Sequence, residues 1–141
     1  MAFETGRVVE WGDCDPAGIA FYPAFFRWMD AAFHEMTTDL GWRQADLPAH
    51  GLFGTPLMEA GASFRSPVRP GDRLRVAVAV TRLGARSVGL RYAFDRGTTP
   101  VATGTEARAF VERTHGGGIR AAAIPATIRD GLARHRVDDP S

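Results

Sequence analysis

Apolar and polar positions change period along this chain, and each change marks an element. Between Phe3 and Trp11 a short alternation around Val8 and Val9 predicts a strand. Residues 13–18 crowd Asp, Pro and Gly together, which is turn chemistry. From Pro23 the period lengthens. Phe26, Met29, Phe33, Met36 and Leu40 recur at three- and four-residue steps, the apolar stripe of a helix, with Arg27, Asp30, His34, Glu35 and Asp39 on much of the remainder. Pro23 suits the first helical turn, where a missing N–H costs nothing, and Gly41 suits the far end as a C-cap. Beyond a loop over 42–54 the period falls to two. Residues 57–64 form a strand and 66–72 a turn. Leu74, Val76, Val78 and Val80 alternate with Arg73, Arg75, Ala77 and Ala79, and Val88, Leu90, Tyr92 and Phe94 alternate after Gly84-Ala85, giving a hairpin. After a turn over 95–100, residues 101–112 form a further strand with Ala107, Ala109 and Val111 on one side. A glycine loop at 116–118, a short strand over 119–122 and a short helix over 125–134 close the chain.

One strand, one long helix and about four antiparallel strands make an α+β fold. Such a sheet must cover its apolar face, and one long helix laid across it is the simplest cover. The expected architecture is a single domain over residues 1–141, with five or six antiparallel strands wrapped around the helix. One helix covers only part of such a sheet, so a homodimer is expected.

Composition narrows the function classes. Net charge is +1, against a general nucleic-acid binder. All seventeen basic residues are arginine, so no lysine can act as a Schiff base, while every cation can grip phosphate through a planar fork. Cys14 is the single cysteine, which rules out an internal disulfide and a cysteine metal cage. The four histidines, His34, His50, His115 and His135, have no shared ligand spacing, so no metal site is expected. His34 is expected to pair with Asp30 one turn back. The first ten residues do not read as a signal peptide and no apolar run spans a bilayer, so a cytoplasmic protein with no membrane partner is expected.

The chemistry concentrates in Gly12-Asp13-Cys14-Asp15-Pro16-Ala17-Gly18-Ile19. A carboxylate beside unpaired helix N–H groups can attack an acyl carbonyl and stabilise the resulting oxyanion. Pro16 disfavours helical geometry at Asp15, and Gly18 can take a positive φ. On the residues alone, Asp15 also reads as a turn residue or N-cap, and Asp13 as a brace for the turn.

This string, with Phe21-Tyr22-Pro23, Arg27-Trp28-Met29-Asp30-Ala31-Ala32, Gly54-Thr55-Pro56, Ala62-Ser63-Phe64, Arg108-Ala109-Phe110 and Ile124-Pro125-Ala126, resembles the 4-hydroxybenzoyl-CoA thioesterase family over nearly the whole chain. The resemblance implies the hotdog fold, hydrolysis of an aromatic acyl-CoA without metal or cofactor, and dimers paired into a homotetramer. It implies Asp15 as the catalytic carboxylate, either nucleophile or general base, and Tyr22 as the position whose backbone N–H polarises the carbonyl. Asp30 falls at the acyl end of the pocket. Arg86 and Ser87 fall near the CoA nucleotide, where an arginine can bind phosphate bidentately. Arg82 shares that turn, and most other arginines are expected on solvated strand faces. The chain departs from the family's hydroxybenzoyl enzyme at Phe21 and Phe26, where that enzyme has Trp and His. Two other readings stand beside this one. The first is a short-chain or fatty acyl-CoA thioesterase of the Tol-Pal cluster type, against which Pro23 counts because that subgroup favours His there. The second is a non-catalytic acyl-CoA binding module, a class that loses the acid.

Overall fold

The structure is a computed structural model and describes residues 1–138. Strand β1 (Phe3–Val8) leads through a 3-10 turn at Trp11–Asp13 into the long helix α1 (Tyr22–Asp39). A second 3-10 segment, Gln44–His50, lies in the stretch expected as loop. Strands β2 (Leu57–Phe64), β3 (Arg73–Leu83), β4 (Ser87–Arg96) and β5 (Thr99–Ala109) follow. A small ladder of β6 (Val111–Arg113) with β7 (Ile119–Ala121) and the helix α2 (Ala126–Ala133) complete the chain.

The main sheet is five-stranded and fully antiparallel, in the order β1-β3-β4-β5-β2. The β3–β4 and β4–β5 neighbours are hairpins, but β2 crosses the molecule to pair with β5 and becomes an edge. This is the hotdog arrangement, with α1 as the filling. The stripe that α1 buries is Phe25, Trp28, Met29, Ala32, Phe33 and Met36, each at most 5 % exposed, whereas Phe26 is only partly buried. Burying each of the large ones stabilises the fold by roughly 1.5–3 kcal/mol. Opposite them lie Leu74, Val76, Val78 and Val80 of β3 with Leu90, Tyr92 and Phe94 of β4, all buried as their alternation requires. Gly41, at φ +101°, ends the helix: its N–H donates to Thr38 O and that of Trp42 to Thr37 O.

Strand β5 corrects the sequence expectation. It runs from Thr99 to Ala109, short of the expected end at 112, and its inward face is Ala102, Gly104, Glu106 and Arg108, with Ala107 and Ala109 on the other. The reason is register: Gly104 stands opposite Tyr92 and Ala62, both on the helix side. Gly104 also lets α1 approach closely, because a Cβ there would lie 2.6 Å from Met29 Sδ. Helix α2 packs at the far end, where the Arg129 guanidinium donates to the carbonyls of Gly84 (2.8 Å) and Leu83 (3.2 Å). No described helix is long and apolar enough to cross a membrane.

Candidate active site

The acid turn folds from its own residues. Asp15 N–H donates to Ile19 O (3.0 Å) and Gly18 N–H to Asp15 O (2.9 Å), while Cys14 and Ala20 form an isolated bridge. Gly18 sits at φ +80°, a conformation that glycine adopts without strain. Ala17 N–H donates to Asp15 Oδ1 at 2.9 Å, an Asx turn that sets the carboxylate's orientation and occupies one of its oxygens. Asp13 braces the turn from behind. It is 7 % exposed, accepts from Glu10 N–H (2.8 Å) and pairs with Arg27 of α1. Phe21 N–H donates to Asp13 O (3.0 Å), which aims the chain into the helix.

Tyr22 is therefore the first helical residue. An N–H at that position has no intrahelical acceptor, and Pro23 adds none beside it. Asp15 and Tyr22 line one cleft of about 420 Å³, with Phe21, Phe25, Phe64 and Arg65 also at its walls. Phe25 meets Phe64 edge-on at 5.1 Å and Trp28 at 4.9 Å, so the wall is aromatic. A carboxyl-bearing residue and the N-terminal residue of α1, where the helix dipole is positive, thus border one aromatic-walled cleft. Cys14 is a poor rival nucleophile. Burial and the carboxylates of Asp13, Asp15 and Asp72 push its thiol up from the ordinary value.

Asp30 is not in this cleft. It lines a second one, also about 420 Å³, with His34, Thr55, Phe53, Leu57 and Arg108 among its walls. Asp15 and Asp30, which the resemblance assigns to one pocket, border separate clefts near opposite ends of β2, since Phe64 borders the first cleft and Leu57 the second. His34 Nε2 lies 3.4 Å from Asp30 Oδ1, the pairing that their spacing foretold. Arg86 and Ser87 line neither cleft. Arg86 is exposed in the β3–β4 turn, and Ser87 Oγ accepts from Arg82 Nη1 at 2.9 Å.

Arg108 is the exception to the expectation that most strand arginines are solvated. It is 4 % exposed, with its guanidinium 4.1 Å above the Phe33 ring. Nε donates to Glu106 Oε1 (2.9 Å), Nη2 to Glu106 Oε2 (3.2 Å) and Asp30 Oδ1 (2.9 Å), and Nη1 to Thr55 O (3.4 Å). Behind it Tyr92 Oη donates to Glu106 at 2.6 Å. Burial alone would lower the Arg108 pKa, but the Glu106 and Asp30 carboxylates more than offset this and raise it. Burial and the Glu106 charge push Tyr92 well above its usual value, so it stays a donor. The sequence signal was a charge pair at i, i+2 on one strand face, Glu106 and Arg108, in a register with no polar residue expected inward.

The family model described as thioesterase-like superfamily matches residues 9–132. The chain belongs to that superfamily. This thioesterase is 34% identical over 127 residues to the 4-hydroxybenzoyl-CoA thioesterase of Pseudomonas sp. (strain CBS-3), covering 84% of this chain and 88% of that one. It is 30% identical over 98 residues to a 1,4-dihydroxy-2-naphthoyl-CoA hydrolase of Prochlorococcus marinus (strain MIT 9313), covering 62% of this chain and 63% of that one. Among solved structures, a mutant 4-hydroxybenzoyl CoA thioesterase complexed with 4-hydroxybenzoyl CoA superposes on this thioesterase with a TM-score of 0.84. There the identity is 28% and the coverage 93% of this chain and 98% of the other.

Proposed function

We propose that this thioesterase hydrolyses an aromatic acyl-CoA to the free acid and CoA, using Asp15 as nucleophile. The observation that carries the reading is that Asp15 and Tyr22, the first residue of α1, line one aromatic-walled cleft. The Asp15 oxygen not held by Ala17 attacks the thioester carbonyl carbon, and the carbonyl oxygen takes the negative charge against the Tyr22 N–H. Collapse breaks the C–S bond and releases CoA thiolate, a good leaving group, leaving a mixed anhydride that water cleaves to the acid and free Asp15. If Asp15 instead takes a proton from the attacking water, the same geometry serves. Losing one oxyanion donor typically costs about 3 kcal/mol of barrier.

The separate placement of Asp30 fits a homodimer. Strand β2 is a free edge that exposes Leu57, Met58 and Phe64. An antiparallel pairing of β2 with the same strand of a second copy, about a two-fold axis, sets Phe64 of one copy beside Leu57 of the other. The Asp15 cleft of one subunit then adjoins the Asp30 cleft of its neighbour, and the acyl group runs from Asp15 toward Asp30. Relatives named for hydroxybenzoyl and dihydroxynaphthoyl thioesters support an aromatic acyl group bearing hydroxyls. Arg86 and Ser87, in the exposed turn at the Leu57 end of the sheet, suit the nucleotide of CoA.

Turnover of a panel of CoA esters, read as released thiol, tests the reading. Aromatic esters are expected to be the best substrates. Asp15→Asn is expected to lower kcat by at least two orders of magnitude with little change in KM. A variant that keeps more than about a tenth of the wild-type rate refutes the assignment of Asp15.

A further inference from the structure

Glu106 and Arg108 are almost fully enclosed, yet neither is needed to fill the core by size, and neither touches the Asp15 cleft. They belong to a chain of contacts that runs from the middle of the sheet to the second cleft: Tyr92 to Glu106, Glu106 to Arg108, Arg108 to Asp30. Every arm of the guanidinium is committed. Two bonds to Glu106 fix its plane, the Phe33 ring supports its face, and Thr55 O takes Nη1, leaving Nη2 aimed at Asp30. The side chain of Asp30 is 57% exposed where the side chain of Arg108 is 5% exposed, so at this wall of the cleft the carboxylate is the open member of the pair and the cation is nearly covered. Arg108 and His34 both approach Oδ1, and Oδ2 is the oxygen left for a ligand.

We infer that Arg108 is a positioning residue that holds the Asp30 carboxylate by Oδ1 and leaves Oδ2 as an acceptor for the distal subsite, and so makes that subsite select an acyl group carrying an O–H or N–H donor. An ionised carboxylate accepts hydrogen bonds and donates none. A site built to bond a donor rejects the analogue that lacks it far more strongly than an apolar pocket rejects a missing methylene. Arginine suits the task because its planar fork reaches Glu106 and Asp30 at once, which a lysine ammonium cannot reproduce.

The inference rests on the proposal that the acyl group ends at Asp30, and the test separates the two. The quantity read is the ratio of kcat/KM for 4-hydroxybenzoyl-CoA to that for benzoyl-CoA. Arg108→Lys keeps the buried charge beside Glu106. The double variant Glu106→Gln with Arg108→Gln removes both charges together, which avoids an orphaned buried ion, and circular dichroism checks that each is folded. In either folded variant the ratio is expected to fall at least tenfold, mainly through KM of the hydroxylated ester. Asp30→Asn is expected to lower the ratio equally, and Arg108→Lys added to it to lower the ratio no further. A folded Arg108 variant with an unchanged ratio overturns the inference alone, as does a further loss in the Asp30→Asn background. An unmoved ratio in Asp30→Asn, or a wild type that turns over neither ester, overturns the reading of the acyl end and this inference with it.

Discussion

Cys14 stands between Asp13 and Asp15 in the acid turn, and its own chemistry shows how the turn treats charge. Burial and the neighbouring carboxylates raise its thiol pKa, so at neutral pH the thiolate fraction is smaller than that of a free cysteine. Iodoacetamide labelling of the folded protein is expected to rise with pH to a midpoint above the ordinary value of about 8.5. Cys14→Ala is expected to keep at least half of the wild-type turnover. Labelling with a midpoint below neutrality would instead identify an activated thiol. At this scale the acid turn was legible, because Asp, Pro and Gly act on their own backbone and need no distant partner. Arg108 was not. Its strand offers alanines on one face and Ala102, Gly104, Glu106 and Arg108 on the other, so hydrophobicity favours the wrong face. The choice is made by register against Tyr92 and Ala62, which a single strand does not contain.

Among the elements, the fit between α1 and the sheet is governed by one absent side chain. A Cβ on Gly104 would meet Met29 Sδ at 2.6 Å and Cε at 2.8 Å, and Met29 is fully buried. Gly104→Val is expected to lower stability by about 1–3 kcal/mol, read as a fall in the urea midpoint at unchanged slope. An unchanged midpoint would mean that the helix has room to spare. The span of α1 and the bounds of β2 were read closely from the sequence, whereas β1 and β5 were carried a few residues too far at their C-terminal ends. The crossover that carries β2 to the far edge did not, because alternation reports which face is buried and says nothing of which strand lies alongside. The 3-10 segment Gln44–His50 was missed for a related reason: it buries only Leu47, too little to leave a period.

For the whole molecule, the exposed β2 edge is the feature with the widest reach. An eight-residue, mainly apolar edge left open invites association with other chains, and in the proposed dimer a second copy would close it and bring the two clefts together. Ala60 lies near the middle of that strand, where the two copies would meet. Ala60→Lys is expected to shift the protein to monomer in sedimentation experiments and to depress turnover in step. A monomer with full activity would sink the two-subunit site. Helix α2 carries a quieter consequence. The loop joining β3 to β4 has Arg86 at its tip, and it is anchored from outside by the Arg129 guanidinium on two of its carbonyls. Firmness at that corner is thus borrowed from the last helix of the fold, so, if Arg86 holds the nucleotide as proposed, damage to α2 is expected to raise KM for CoA esters before it lowers kcat.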